Sequence, residues 1–285
     1  MLGRKSTGRK FIGSLALVAS LFSGMPAAWA HDASKYPDLR GQWIRVGSNG
    51  FDPGKPPGLA QEAPLTPEYQ AILQMSLADQ RQGLPGNNPT SLCTPPGMPR
   101  MMIGPLGGME FVVSEDITYV LVPEPTVQHR RIYTDGRPWP RNILPSFTGY
   151  SIGTWEDEFG NGRFDVLKVE TRGLRGPRSF DMSGIPFHDD NETLIKERIA
   201  LDKANRSILH DEITVFDHAL TRPWVVTRSY LRDSVPEWIE SNCADADNQV
   251  KLGNQFYFKS ADGELMPIRK DQPPPDLKFF NRSSK

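Results

Sequence analysis

The sequence predicts a mainly β protein whose antiparallel strands follow one another as a meander and close into a lipocalin-like barrel. Between residues 110 and 231, successive segments alternate apolar and polar residues with the period of two that is typical of half-buried strands. Short turns rich in Gly, Asn and Asp separate these segments, which favours pairing of sequence neighbours as hairpins. Closure of the sheet removes exposed edges, and a two-sheet sandwich is the alternative.

About eight to ten strands are predicted from this alternation. In chain order they span residues 38–46, 110–113, 118–122, 131–133, 149–155, 164–171, 192–202, 207–216, 223–231 and 237–241. The letters Gly149 to Gly153 match a G-x-S-x-G nucleophile elbow, but they lie inside a strand pattern instead of at a strand-to-helix turn, so we interpret the match as accidental.

One helix is predicted near the N-terminus, from Pro67 to about Gln82. Thr66 has the side chain of an N-cap, and proline is favoured at the first helical position. Glu68 lies where the helix dipole favours a negative charge.

The first thirty residues predict a signal peptide. Four basic residues precede an apolar run from Phe11 to Phe22, and Ala28-Trp29-Ala30 matches a cleavage site. We therefore expect a chain that starts at His31 and resides in the periplasm or is secreted. Its expected parts are a strand, loop and helix region at 31–90, a barrel domain at 91–243 and a polar C-terminal tail at 244–285.

Charge and motifs narrow the classes of partner. The chain has 33 basic and 34 acidic residues, and loss of the four basic leader residues changes its formal charge from −1 to −5. This balance argues against non-specific nucleic-acid binding. No later apolar run is long enough for a spanning helix. The sequence has neither a phosphate-binding P-loop nor a G-x-G-x-x-G after a strand, so no cofactor is predicted, and the oligomeric state stays open.

Two cysteines, Cys93 and Cys243, are present. In an oxidising compartment their simplest interpretation is one disulfide, which would stabilise the fold by about 5 kcal/mol or less. Two unpaired buried thiols are the alternative.

Several motifs together resemble a family of exported bacterial proteins. They are CTPPGMPRMM, RRIYTDGRPWP, GYSIGTWE, DVLKVET and FDHALTRPW, and the likeness covers Cys93 to Glu240. Members share the patterns DGRxxP, GYSIGxWE and LxVET, and the family has no settled activity. This chain departs from the family pattern by extra residues between Trp155 and Leu167 and at 187–190, which we expect to lie in loops.

Candidate acid–base residues cluster in the DGR segment. His129, Arg131, Tyr133 and Asp135 recur at a period of two and are therefore expected on one strand face. His129, Asp135 and Glu170 are the candidate proton-transfer groups, and Arg131 is the candidate for substrate charge. A structural Asp–Arg pair that pins the Asp-Gly turn is the alternative.

Aromatic and basic side chains nearby predict a site for a small apolar or aromatic molecule inside the barrel. The expected ligand-binding residues are Tyr133, Arg137, Trp139, Tyr150, Trp155 and His188. Core packing is the alternative for each single aromatic residue.

No metal site is predicted outright, although two possibilities stay open. His188 to Asp190 and His210 to Glu212 could share a metal if their segments meet, and a mature N-terminal His31 could bind copper. The leading functional hypothesis is a small-molecule-binding barrel. The alternatives are a cofactor-free lyase, hydratase or isomerase in the same cavity, and an envelope interaction protein.

Overall fold

The computed structural model describes residues 32–47, 62–105, 107–123, 128–238, 249–253, 255–260 and 263–275. Within these ranges, none of the helices has both the length and the apolar character needed to cross a membrane. The predicted signal peptide, His31 and Cys243 lie outside the described residues.

Nine strands form a closed barrel in which each strand pairs with its sequence neighbours and the last strand pairs with the first. The strands are β1 Gln42–Arg45, β2 Met109–Val113, β3 Ile117–Val122, β4 Gln128–Tyr133, β5 Tyr150–Glu156, β6 Val166–Arg172, β7 Leu194–Leu201, β8 Ile208–Phe216 and β9 Trp224–Arg232. The predicted mainly β barrel is confirmed.

One pairing departs from the predicted antiparallel meander. β4 and β5 are parallel, with Ile132 opposite Ser151 and Tyr133 opposite Ile152. A parallel neighbour requires a connection that returns to the same end of the sheet, and the proline-containing segment 134–149 provides it. Gly153 allows close packing here, because a Cβ at that position would lie 2.6 Å from Ile132 Cγ2.

Side chains alternate between the barrel interior and its outer wall, as the pleat of a strand requires. On β4, Arg130 and Ile132 have no exposed surface, whereas His129 and Arg131 are exposed and Tyr133 is half-buried. The inward face of the later strands carries mostly apolar residues, among them Leu167, Val169, Ile195, Ile199, Leu209, Ile213, Val215 and Val226.

The predicted helix is confirmed as α1, Pro67–Arg81, and its start matches the expected chemistry. The Thr66 hydroxyl accepts a hydrogen bond from the Tyr69 amide, and Pro67 is the first helical residue. The helix buries Leu73 and Leu77 in the core.

A second, short helix, α2, Arg100–Ile103, is completely buried. The inward-facing Tyr230 hydroxyl of β9 donates a hydrogen bond to the Met102 carbonyl. The Arg100 guanidinium donates to Asn88 at 2.5 Å and to Thr90 at 2.9 Å. This segment therefore occupies space beside the inner wall of the barrel.

The region predicted as a polar tail contains a three-stranded antiparallel sheet of β10 Gln249–Leu252, β11 Gln255–Lys259 and β12 Leu265–Pro267. Phe256 and Tyr257 are buried, so this aromatic run packs instead of lying in a loose tail. Of the predicted strand at 237–241, residues 237 and 238 are described and are not in a strand.

Candidate functional site

A buried ion pair occupies the barrel interior. Arg130 Nη1 lies 2.8 Å from Glu197 Oε1, and both side chains are at most 1% exposed. The same guanidinium donates to Ser151 Oγ at 3.1 Å and to Thr171 Oγ1 at 2.7 Å. Four inward-facing residues, one each on β4, β5, β6 and β7, are therefore joined by hydrogen bonds.

A second carboxyl group lies beside this ion pair. Asp211 on β8 has no exposed surface. Burial, followed by the neighbouring Glu197 carboxylate, raises the pKa of Asp211 well above its ordinary value. A protonated Asp211 can donate to Glu197, which is itself paired with Arg130. We call Arg130, Glu197 and Asp211 the interior cluster.

The interior cluster is closed to solvent, which corrects the expected location of the ligand site. The expected ligand-binding residues Tyr133 and Tyr150 alternate with the inward residues and lie on the outer wall. The proton-transfer candidates His129 and Glu170 lie on the outer wall as well. A shift of one residue in a strand moves every side chain to the other face. The interior at this level holds hydrogen-bonded polar side chains that a solute cannot reach.

Ser151, the serine of the G-x-S-x-G match, is also enclosed in the barrel interior. It lies within β5, and its hydroxyl is 2.8 Å from Thr171 Oγ1 and within hydrogen-bond distance of Arg130. The interpretation of the G-x-S-x-G match as part of a strand is therefore confirmed.

Three predicted aromatic residues do come together, on the outer wall. The ring centroids of Tyr133 and Tyr150 are 4.9 Å apart, and those of Trp139 and Tyr150 are 6.0 Å apart. Arg137 lies 3.9 Å above the Tyr133 ring, and Arg172 lies 4.4 Å from the Trp139 ring centroid. We call Tyr133, Trp139 and Tyr150 the aromatic patch.

A local ion pair lies at the start of the loop that carries Trp139. Arg137 Nη2 lies 2.6 Å from Asp135 Oδ2, and the Arg137 amide donates to Asp135 Oδ1 at 3.2 Å. The Arg137 guanidinium lowers the pKa of the Asp135 carboxyl. This geometry is the turn-pinning arrangement that the sequence left open.

A groove of about 460 Å³ begins at the aromatic patch and runs across the outer faces of β5 to β8. We call it the outer groove. Its lining includes Trp139, Ile152, Thr154, Glu170, Lys196 and Thr214. Outward residues of four neighbouring strands build it, so its walls have the rigidity of the barrel.

Charges around the outer groove are paired with one another. Lys168 Nζ lies 2.7 Å from Glu156, and the Glu156 and Glu158 carboxylates raise the pKa of Lys168. Glu170 lies 2.5 Å from Arg172 and 3.6 Å from Lys196. The groove is therefore polar and nearly balanced in charge.

A larger hollow of about 620 Å³ lies elsewhere, between the turns at 157–165 and 202–207. Its walls include Asp38, Phe159, Arg206 and Arg232. Turn segments form much of this hollow, and binding sites held by strands are more precise than sites on loops. The outer groove is thus the better-organised candidate.

The remaining predicted residues are dispersed. His129 and Arg131 lie on the outer face of β4, and the four residue steps from His129 to Tyr133 place their Cα atoms about 13 Å apart. Trp155 is inside the barrel and packs edge-on against Tyr36 at 5.4 Å. The proposed acid–base set is therefore not assembled around His129.

His188 lies in the loop before β7, where it meets His218 and not His210. His210 is paired with Asp202 at 3.1 Å. The possible metal site shared by 188–190 and 210–212, which the sequence left open, does not form, because Asp211 points inward while His210 pairs within its own hairpin.

Sequence reasoning did not determine the inward orientation of Arg130, and it missed Glu197, Lys196 and His218. Arg130 and Glu197 could have been recognised from phase, because each alternates with apolar inward residues, Ile132 in one case and Ile195 and Ile199 in the other. No sequence signal places His218 beside His188, since that contact joins two loops.

No family model, no curated protein and no solved structure matches this chain.

Proposed function

We propose that the protein binds a small aromatic molecule in the outer groove. The chain is a β-barrel, and the observation that carries the proposal is the aromatic patch at one end of a groove of about 460 Å³. Ligand sites typically measure about 300–1,000 Å³ and combine aromatic walls with a few polar groups.

The aromatic patch supplies the attraction. All three rings are half-buried, so each keeps a surface that a ligand can cover. Aromatic pairs contribute about 0.5–1.5 kcal/mol beyond the burial of their area. Trp139 is the anchor, because its ring also lines the groove.

The paired charges define the ligand's polarity. A strongly charged ligand would have to break contacts such as Lys168 with Glu156 or Arg172 with Glu170. A neutral ring with one or two hydroxyl or amide groups leaves these pairs intact and can hydrogen-bond to their free lone pairs. The expected ligand class is therefore a neutral or weakly polar aromatic compound.

The acid–base alternative receives less support. It requires His129 to cooperate with Asp135 or Glu170, but His129 lies about 13 Å along the strand from the aromatic patch. The Asp135 carboxylate is engaged by Arg137 at 2.6 Å. General acid–base partners need hydrogen-bond proximity to one another or to a common substrate.

Ligand-observed NMR tests the proposal. The mature protein is screened with indole, phenol, 2-naphthol, benzoate and 1-naphthalenesulfonate, and dissociation constants of the hits are measured. We expect the neutral compounds to bind preferentially and Trp139→Ala to weaken them about tenfold, because truncation of an aromatic anchor removes about one to two kcal/mol.

Trp238→Ala is the matched control, because Trp238 is 44% exposed and lies outside the groove. It should leave the dissociation constants unchanged. Equal binding by the wild type and by Trp139→Ala would contradict the proposal, as would preferential binding of the two anions.

We also propose that the chain is exported after cleavage near Ala30. The basic residues, apolar run and Ala-Trp-Ala motif of residues 1–30 support this location. N-terminal sequencing of protein recovered from a periplasmic extract should give His31 as the first residue.

A Cys93–Cys243 disulfide is proposed together with export. An oxidising compartment and two cysteines in the chain support it. Thiol titration of the denatured exported protein should detect no free thiol before reduction and two after it.

A further inference from the structure

Two histidines and an aspartate that do not line the outer groove converge at a second place on the molecule. His188 Nδ1 lies 2.9 Å from Asp190 Oδ2, and His218 Nδ1 lies 2.5 Å from the same oxygen. The two imidazole rings meet edge-on with centroids 5.7 Å apart. We call these three residues the histidine cluster.

Buried groups fix the backbone that presents His188. Arg178 donates to the His188 carbonyl at 3.1 Å, and Asp217 accepts from the His188 amide at 2.9 Å. The side chains of Arg178 and Asp217 are 3% and 0% exposed. The loop carrying His188 is thereby tied to the β8–β9 turn that carries His218.

Asp190 is oriented as well. Its Oδ1 accepts a hydrogen bond from the Glu192 amide at 3.0 Å. Its Oδ2 is left to face both imidazoles. Metal-binding carboxylates commonly have such a supporting hydrogen bond on the second oxygen.

The polar atoms of the three side chains converge on one point. His188 Nδ1 lies 2.9 Å from Asp190 Oδ2 and 3.2 Å from the Asp190 amide nitrogen, which holds the imidazole toward the carboxylate. Imidazole nitrogens and a carboxylate oxygen are ligand atoms that zinc accepts.

One side of the cluster is open. The His218 side chain is 64% exposed. His218 also lines a hollow of about 250 Å³ together with Phe216, Leu220 and Arg222. A ligand atom or water can therefore reach a cation held at His218.

We propose that His188, Asp190 and His218 form a binding site for a divalent first-row transition-metal ion, with zinc as the best match, that keeps a coordination position open toward this hollow. Two imidazoles and one carboxylate form a known zinc ligand set, and the fourth position then holds water or substrate. The candidate ligand atoms lie within 4.8 Å of one another. Tetrahedral zinc needs about 3.3 Å between ligand atoms, which small side-chain rotations achieve.

The same contacts have a structural alternative, in which the cluster only ties two loops together. The two interpretations predict different results when metal is added. If the network is purely structural, the protein binds no stoichiometric zinc. If it is a metal site, the protein binds one zinc ion per chain, and this binding depends on all three side chains.

Isothermal titration with zinc chloride decides between them. The chelator-treated protein is used without an affinity tag, and every variant carries His31→Ala so that an N-terminal histidine contributes no metal site. We expect one zinc ion per chain with micromolar or tighter affinity. His218→Ala and Asp190→Asn should each weaken it at least tenfold, since each removes one of three ligands.

His210→Ala is the matched control, because His210 is also partly exposed and paired with a carboxylate, Asp202, but has no second histidine beside it. It should bind zinc like the parent. Circular dichroism establishes that each variant is folded.

Cobalt substitution supplies a second, spectroscopic measurement on variants that circular dichroism has shown to be folded. Visible absorption bands of the intensity typical of four- or five-coordinate cobalt should appear at one equivalent and disappear in His188→Ala/His218→Ala. The proposal is overturned if the parent shows no stoichiometric zinc binding. It is equally overturned if zinc binding and cobalt bands persist in the double variant.

Discussion

The interior cluster and the outer groove use the same residue types on the same strands, with opposite consequences. Glu197 lies on the inner face of β7, and its neighbours Lys196 and Arg198 lie on the outer face beside the groove. Inside, Arg130 and Glu197 are closed to solvent, and Arg130 donates to Glu197, Ser151 and Thr171. Outside, similar pairs are about one-quarter to one-half exposed and surround a space that a ligand can enter.

This contrast shows that the face of the strand on which a charged residue lies decides its role. Charged residues on the inner face hold the fold together, whereas charged residues on the outer face are available to a ligand. Removing one partner of a buried ion pair costs stability, because the remaining charge is neither paired nor solvated. An exposed pair contributes little to stability and can rearrange around a ligand. Neighbouring residues on one strand therefore provide matched tests.

The largest expected effect comes from breaking the buried pair. Arg130→Met leaves Glu197 beside Asp211 without a cation and removes a donor from Ser151 and Thr171. We expect a loss of about 3–5 kcal/mol in the free energy of unfolding, measured by urea denaturation.

Arg131→Met is the control for that experiment, since Arg131 is the next residue and points outward. Its free energy of unfolding should change by about 0.5 kcal/mol or less. If both variants lose the same stability, the assignment of strand phase on β4 is incorrect.

A smaller, pH-dependent effect is expected at Asp211. Its pKa is raised in the folded protein, so between the unfolded pKa of about 4 and the higher folded pKa the native state binds the extra proton. The contribution of Asp211 to the free energy of unfolding of the wild type therefore falls as the pH rises above about 4. Asp211→Asn lacks this titration, so its free energy of unfolding relative to the wild type should increase as the pH rises from 4 to 8.

Thermal unfolding at several pH values measures this difference. Glu212→Gln is the control, because Glu212 is adjacent and points outward. A stability advantage of Asp211→Asn that does not grow with pH would show that Asp211 is ionised in the folded protein.

The smallest effect on stability is expected at the exposed Asp135–Arg137 pair. Asp135→Asn removes the charge that holds Arg137 near Tyr133, but the turn is also set by Gly136, whose φ is 73°. We expect an unchanged melting temperature and a modest decrease in the affinity of an aromatic hit. Loss of folding in this variant would mean that the ion pair, and not the turn backbone, holds the loop.

Much of the fold was predictable because it depends on local patterns. The helix start at Thr66 follows from capping chemistry, and the strands at 207–216 and 223–231 follow from alternation alone. Two parts were not predictable. The parallel pairing of β4 with β5 depends on the path of a long loop. The three strands after residue 249 have only three to five residues each, which is too short for a clear alternation of apolar and polar residues.

The candidate site was predicted in composition but not in position. Tyr133, Trp139 and Tyr150 were identified as binding residues, and the structure brings them together. Their face was misassigned, because the segment 129–133 has charged or polar residues in both phases and only Ile132 marks the inside. The histidine cluster depends on a contact between loops, which strand patterns do not determine.

Trp indole resonances in a ¹H–¹⁵N spectrum test most directly whether ligands bind outside or inside the barrel. Single Trp→Phe variants assign the signals, and an aromatic hit from the fragment screen is then titrated. We predict that the Trp139 signal shifts with saturation, while those of the buried Trp155 and Trp224 stay in place. Saturable shifts of Trp155 or Trp224 with an unmoved Trp139 would place the ligand inside the barrel and contradict the account.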